Sequence, residues 1–382
     1  MKIAIQAADL DAPRIDGTRV YISNLLKYFG ALDKTSRFLI YHKNNFNPEL
    51  APPEFPNYEI LKKCWPLFWT QMRLGASLFR RKPDVLWMPM HNIPIFKSKR
   101  IKTFVTIHDL AFKYFPECFT WRDRIKLNLL TKWAVEKSDK IITVSESSKR
   151  DILKFYPDIQ KEKIRVIHHG FDGEIYKQER DFEKGEKIKN KFGIGGKYIL
   201  YLGALQPRKN LKVLIEAFEK IKKSELSSGH PERYPELSSV KLVLAGEKAW
   251  LWEDIFKKIN ESEYKSDIIT PGRIKFEDLG HLMRGAEIFC FPSLYEGFGI
   301  PILEAMAARV PVICANNSSL PEAAGDAALY FDGKNSNELA EKIKSILDNN
   351  DLKNSLIAKG VEQIKKFSWE KCARETLEYL KS

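Results

Sequence analysis

Of the 382 residues only five are cysteine, and Cys64, Cys118, Cys290, Cys314 and Cys372 stand far apart with no Cys-x-x-Cys pair. An odd, scattered set excludes a disulfide framework and a structural zinc site, and fits a reducing cytoplasmic compartment. Long apolar runs are missing too. Each is broken by charge or proline before it reaches the ~18–20 residues that a membrane-spanning helix needs. Lys2 precedes a short apolar run, but Asp9 and Asp11 close it too early for the core of a signal peptide. Residues 2–8 therefore read as a buried first strand. No Gly-x-Gly-x-x-Gly follows the first strand of either half, which counts against a dinucleotide-dependent oxidoreductase. No repeat of solenoid period is present.

What is present is the composition of a globular protein, 44% apolar and 30% charged. The length suits two domains with a cleft between them. β-Branched runs alternate with amphipathic stretches in both halves, which predicts an α/β protein of two doubly wound parallel sheets. Strands are expected at residues 2–8, 38–42, 85–88, 103–108, 140–144 and 164–167. In the second half they are expected at 198–202, 241–245, 288–291, 310–314 and 328–331. The polar stretch 172–197, ending in Gly193, Gly195 and Gly196, reads as the hinge. The domains are accordingly set at 1–180 and 181–367. Residues 222–239 read as a surface insertion. Ser368 is the expected N-cap of a last helix that begins near Trp369.

Charge is uneven. Residues 1–172 hold 30 Lys and Arg against 18 Asp and Glu, so they carry nearly all of the net +13. Such a bias calls for an anionic partner: an acidic lipid surface, a phosphorylated acceptor or a nucleic acid. The segment from Lys62 through Trp65, Phe68 and Trp69 to Lys82 mixes aromatics with cations. It fits either a helix lying on an anionic membrane or a core helix with charged ends. Nucleic-acid binding explains the charge but brings no recognition motif with it.

Residues 291–307 carry the most chemistry. Gly297 and Gly299 let backbone amides approach a ligand, and Pro301 suits the first turn of a helix whose positive end attracts anions. Glu296 before the turn and Glu304 within the helix are placed to accept hydrogen bonds from sugar hydroxyls. A second strand-to-helix turn, Gly203 to Asn210, puts Arg208 and Lys209 at a helix start. Cations there are disfavoured by the dipole unless an anion offsets them. Asn210 is the expected cap of that helix. In the first half Gly17 precedes a helix carrying Tyr21, Leu25 and Leu26, and His108 and Asp109 close another strand. Asp9-Leu10-Asp11 spells the Asp-x-Asp of metal-dependent transferases, which have a single nucleotide-binding domain; two Rossmann-like halves argue against that reading. His168 and His169 read as hinge residues and not as metal ligands.

Glu296 and Glu304, with seven residues between them, resemble the paired acids of family 4 of the retaining glycosyltransferases. The resemblance continues through residues 311–313, 319–328 and 201–210, and covers nearly the whole chain. It implies the GT-B fold, two Rossmann-like domains facing across a cleft with the C-terminal helix 368–382 crossing back to the first. It also implies roles: Glu304 on the ribose, Glu296 on the transferred sugar, and the amides of Gly297, Phe298, Gly299 and Ile300 on sugar and phosphates. Gly203, Arg208 and Lys209 would hold the diphosphate in place of a metal. Gly17 would lie near the phosphates and His108 near the sugar. Arg309 departs from the family, which favours a small residue there. The activity implied is transfer of a hexose with retention, without metal or cofactor, to a saccharide or lipid-linked acceptor on the cytoplasmic side of a membrane. His108-Asp109-Leu110 with Phe115-Pro116 is similar to mannosyltransferases, which favours GDP-mannose; UDP-glucose or UDP-N-acetylglucosamine is the alternative donor.

Overall fold

A computed structural model describes residues 1–65, 68–177, 182–227 and 239–382. The chain divides into two compact units, Met1–Gly170 with Phe367–Ser382, and Phe171–Lys366.

The first unit is built on a parallel sheet of β1 (Lys2–Gln6), β2 (Arg37–His42), β3 (Tyr58–Lys62), β4 (Val85–Met88), β5 (Lys102–Ile107), β6 (Lys140–Thr143) and β7 (Ile164–Val166). Its order is β3-β2-β1-β4-β5-β6-β7, with Ile3 flanked by Phe38 and Val85. The inner strands β1, β4, β5 and β6 are buried along most of their length, as parallel strands covered on both faces must be. The last helix, Trp369–Lys381, belongs to this unit and packs on the helix Gly17–Leu32. Ser368 caps it by accepting from the Lys371 amide at 3.1 Å, and Lys381 pairs with Asp33 at 2.7 Å.

The second unit holds β8 (Tyr198–Leu202), β9 (Lys241–Ala245), β10 (Ile268–Gly272), β11 (Ile288–Phe291), β12 (Val312–Ala315) and β13 (Ala328–Phe331). Their order is β10-β9-β8-β11-β12-β13, all parallel. In both units the first strand sits inside the sheet and the chain winds outward on one side of it before the other. The order therefore reverses between β1 and β4, and between β8 and β11. Open sheets bind ligands at such switch points, outside the carboxyl ends of the strands.

Several expectations are corrected. The strands β3 and β10 were not expected, and β12 starts at Val312 because Arg309, in the left-handed region at φ 57°, turns the chain just before it. Gly17 is the first residue of its helix, and Asp16 is the cap, accepting from the Arg19 amide. The units part at Gly170 and Phe171, where 180/181 was expected. Helix Gly173–Lys177 packs on helices Phe276–Arg284 and Ile300–Ala307, and Arg284 donates to the Ile175 carbonyl at 2.7 Å. The expected boundary itself lies outside the described residues, as do Pro66 and Leu67 of the basic aromatic segment. Of the expected insertion, residues 228–238 lie outside the described residues. Its first part is helix Leu211–Ser227, where buried Lys222 pairs with Asp267 at 3.0 Å.

Candidate active site

β8 and β11 are the neighbouring strands of the second switch point, and the two chemistry-bearing turns leave their carboxyl ends side by side. The first runs from Gly203 through the short helical turn Pro207–Lys209. A Cβ on Gly203 would sit 2.7 Å from the Tyr201 hydroxyl, so the turn needs glycine. The second runs from Pro292 to Gly299, whose φ of 108° makes it a left-handed N-cap for the helix Ile300–Ala307. No side chain caps this helix among the described residues, so its first amides are oriented for a ligand.

The turns are tied together. The Leu294 amide donates to the Arg208 carbonyl at 2.9 Å, and the Ser319 hydroxyl donates to the carbonyls of Glu296 and Phe298 at 2.9 and 3.0 Å. Asn210 is not the helix cap expected of it, because its φ of 59° lies outside the extended region that caps occupy. Its side-chain amide instead donates to the carbonyls of Pro292 and Gly333, at 3.1 and 2.7 Å, pinning both loops.

At the junction Glu296 accepts from Lys209 on one oxygen and from Arg208, at 3.3 Å, on the other; Arg208 also donates to the Tyr295 carbonyl. Burial raises the Glu296 pKa, but the two cations outweigh it and hold the carboxyl at about 2. Among the described residues, two cations thus face one fixed anion in a partly dehydrated corner.

Glu304 stands in a different environment. It lies on the helix Ile300–Ala307 and takes a hydrogen bond from Tyr176, a buried residue of the helix Gly173–Lys177. Burial pushes its carboxyl up to about 7, the Tyr176 hydroxyl pulls it back, and the charge of Asp172 adds to the rise. The expected pair of acids is thus split into a permanently ionised carboxylate and one that titrates near neutrality. Phe298 is buried, and its carbonyl accepts from the Ser319 hydroxyl.

In the first unit His108 follows β5. Its Nε2 donates to the Pro89 carbonyl at 3.0 Å, which leaves Nδ1 as the acceptor, and burial lowers its pKa so that the ring is neutral. Tyr21 meets the His108 ring edge-on at 5.0 Å, and His169 lies 5.5 Å from it. His169 is thus a buried member of this ring cluster. Gly17 begins the helix that carries Tyr21, and a Cβ there would meet nothing, so no packing reason requires glycine at that position. Asp11 of the Asp-x-Asp accepts from the amides of Lys43 and Asn44, at 2.9 and 2.7 Å, and bonds His42 at 3.2 Å.

Residues 15–174 match the model described as Glycosyltransferase Family 4, and residues 184–363 match Glycosyl transferases group 1. The chain belongs to family 4 of the glycosyltransferases. The enzyme is 29% identical to O-antigen chain mannosyltransferase B of Escherichia coli, over 71% of its own length and 68% of that protein. It is 28% identical to the serotype-specific mannosyltransferase WbdA of E. coli over 76% of its own length, and spans about a third (34%) of that longer protein. Its fold matches the crystal structure of Anabaena HepE in complex with UDP and glucose, with a TM-score of 0.75 over 100% of both chains at 17% identity. The two Rossmann-like units are those of a GT-B glycosyltransferase.

Sequence reasoning missed Tyr176, Ser318 and the bridging role of Asn210. Ser318 accepts from the Glu296 amide at 3.0 Å. Tyr176 fell within a stretch read as hinge, where an aromatic among polar residues was the available signal.

Proposed function

We propose that the enzyme moves mannose from GDP-mannose, with retention at the anomeric carbon and without a metal ion, to a saccharide or lipid-linked saccharide acceptor. The observation that carries this reading is the triad of Arg208, Lys209 and Glu296 at the switch point, beside the helix that begins after Gly299 with no side-chain cap among the described residues. A departing diphosphate gathers negative charge as the sugar bond breaks. Fixed cations and helix amides aimed at it lower the barrier without reorganising. Arg208 and Lys209 supply that charge together with the amides of Gly297, Phe298, Gly299 and Ile300. Glu296, ionised at any working pH, accepts from sugar hydroxyls and keeps the two cations in place until the donor arrives. Glu304 accepts from the ribose hydroxyls. No side chain is assigned as a covalent nucleophile: the diphosphate stays beside the sugar while the acceptor attacks from the same face. Gly203 shapes the turn, and Gly17 and His108 are kept as candidate substrate contacts of the first unit.

The names of the relatives support mannose, and the basic first unit supports an anionic, membrane-borne acceptor reached from the cytoplasmic side. No helix among the described residues is long and apolar enough to cross a membrane. Nucleic-acid binding is not carried further, because a glycosyltransferase model covers most of the residues that motivated it. The test is a thermal-shift panel of GDP- and UDP-sugars followed by transfer assays in excess EDTA, with product mass and anomeric configuration determined. The reading expects GDP-mannose to give the largest shift and transfer to survive EDTA. Preference for UDP-glucose or UDP-N-acetylglucosamine would replace the donor, and full loss restored by manganese would overturn the metal-free step.

A further inference from the structure

We propose that Tyr176 is a positioning residue of the donor site: its hydroxyl occupies one side of the Glu304 carboxyl and turns what is left of that group to the ribose diol of the nucleotide. The proposal rests on the reading of Glu304 as the ribose acceptor.

Tyr176 stands on the five-residue helix Gly173–Lys177, too short to hold its own shape in water. Packing fixes it instead. A Cβ on Gly280 would fall 2.4 Å from the Ile175 carbonyl oxygen, so the helix Phe276–Arg284 comes this close only with glycine at that position. One turn on, the buried Arg284 donates from Nη1 to the carbonyls of Ile175 and Tyr176, at 2.7 and 3.4 Å. A buried guanidinium held on two carbonyls of one short helix is more than a connector needs. It sets the backbone from which Tyr176 reaches Glu304.

Tyr176 is 2% exposed. Burial, and then the charge of Glu304, push its phenol well above the ordinary range, so it keeps its proton and donates. An ionised carboxyl accepts on both oxygens and can take the protons of a vicinal diol, whereas a protonated one has given up an acceptor. The Tyr176 hydroxyl favours the ionised form.

Among the described residues, Tyr176 and Asp172 act on the Glu304 charge in opposite directions. The helix Ile300–Ala307 also packs on the helices Leu320–Ala324 and Asn350–Ile364 and on β11 and β12. Those elements bring Glu322, Lys353, Lys359 and Glu362, and the thiols of Cys290 and Cys314, which burial keeps protonated. Lys353 pairs with Glu287, Lys359 with Asp326 and Glu362 with Lys365, so these three are engaged with other partners. Burial and Asp172 bring the Glu304 carboxyl up to about 7 against the pull of Tyr176. Ribose binding selects the ionised form and is therefore linked to proton release near neutrality.

The test is titration calorimetry of GDP, and of dideoxyguanosine diphosphate, which lacks both ribose hydroxyls, into the full-length enzyme across pH. The phosphates titrate alike in both ligands, so the ratio of affinities reports on the ribose contact. In the wild type the preference for GDP should grow roughly tenfold from about pH 6 to about pH 8, following the ionised fraction. In Tyr176→Phe the half-point of that rise should move up by about one pH unit or more. The preference at about pH 7 should then be roughly fivefold lower. Dideoxyguanosine diphosphate should bind wild type and variant equally, and in Glu304→Gln the preference should be flat with pH. A flat preference in the wild type, a half-point unmoved in Tyr176→Phe, or equal weakening of both ligands at every pH overturns the proposal. If the preference nonetheless falls in Glu304→Gln, the ribose role of Glu304 stands without it. No preference for GDP in the wild type strikes that role and the proposal together. UDP with its dideoxy counterpart takes the place of the guanosine pair if UDP binds more tightly.

Discussion

Glu304→Gln should stabilise the enzyme at alkaline pH and leave it unchanged in mild acid. The Glu304 carboxyl rises from 4.5 to about 7 on folding, first because it is buried and then because of Asp172. At ~1.36 kcal/mol per pKa unit this costs roughly 3 kcal/mol once the group is ionised in both states. A raised carboxyl pKa means that stability is fully present below the unfolded value and is lost as pH rises through the folded value. The window is therefore 4.5 to about 7. The amide variant is isosteric with the protonated acid, so it should match the wild type at about pH 5 or below and exceed it at about pH 8. At ~2–4 °C per kcal/mol for a unit of this size, the second unit should melt roughly 6–12 °C higher than wild type there. Scanning calorimetry at both pH values reads the difference directly. Tyr176→Phe, which removes the bond that pulls the pKa down, should extend the loss of stability to higher pH. Equal melting shifts for Glu304→Gln at both pH values, or none at alkaline pH, would refute the electrostatic account of this carboxyl.

Arg309→Gly should raise the melting temperature, because the arginine holds φ 57° and glycine adopts the left-handed region without a Cβ penalty. The gain is about 1 kcal/mol, or ~2–4 °C, and a lower melting temperature would contradict it. Glu296→Ala should reduce transfer by roughly a hundredfold to a thousandfold while free nucleotide diphosphate binds as well or better, since a carboxylate competing for Arg208 and Lys209 is gone. Calorimetry and turnover together check this, and weakened diphosphate binding would remove Glu296 from its assigned role.

What could be read in the sequence follows from burial. Inner strands such as β4, β8, β9 and β11 are buried on both faces, so they stand out as continuous apolar runs. The two strands not foreseen, β3 and β10, are the outer strands on one side of each sheet. β3 has one buried residue in five, and β10 includes Pro271 and Gly272, which an edge tolerates and a pattern search discounts. The two turns of the site were legible because glycine, paired acids and paired cations leave local marks. That Lys209 and Arg208 share Glu296 was not legible, since 87 and 88 residues separate the partners and strand order brings them together. The same holds for Tyr176 against Glu304. Arg309 was visible as a departure from the family, and its backbone angle gives the reason for the family's preference. The exposed stripe at Trp121, Ile125 and Leu129 was hidden because an amphipathic period looks the same whether it faces a core or solvent.

The central claim is that Arg208 and Lys209 receive the diphosphate of a nucleotide-sugar donor. Titration calorimetry of GDP and GDP-mannose into the wild type and into Arg208→Ala with Lys209→Ala tests it most directly. Each charge-assisted bond is worth ~1.5–3 kcal/mol, so the double variant should bind both ligands roughly a hundredfold or more weakly and lose the ligand-induced rise in melting temperature. Equal affinity in the two proteins, with the variant folded, would contradict the account.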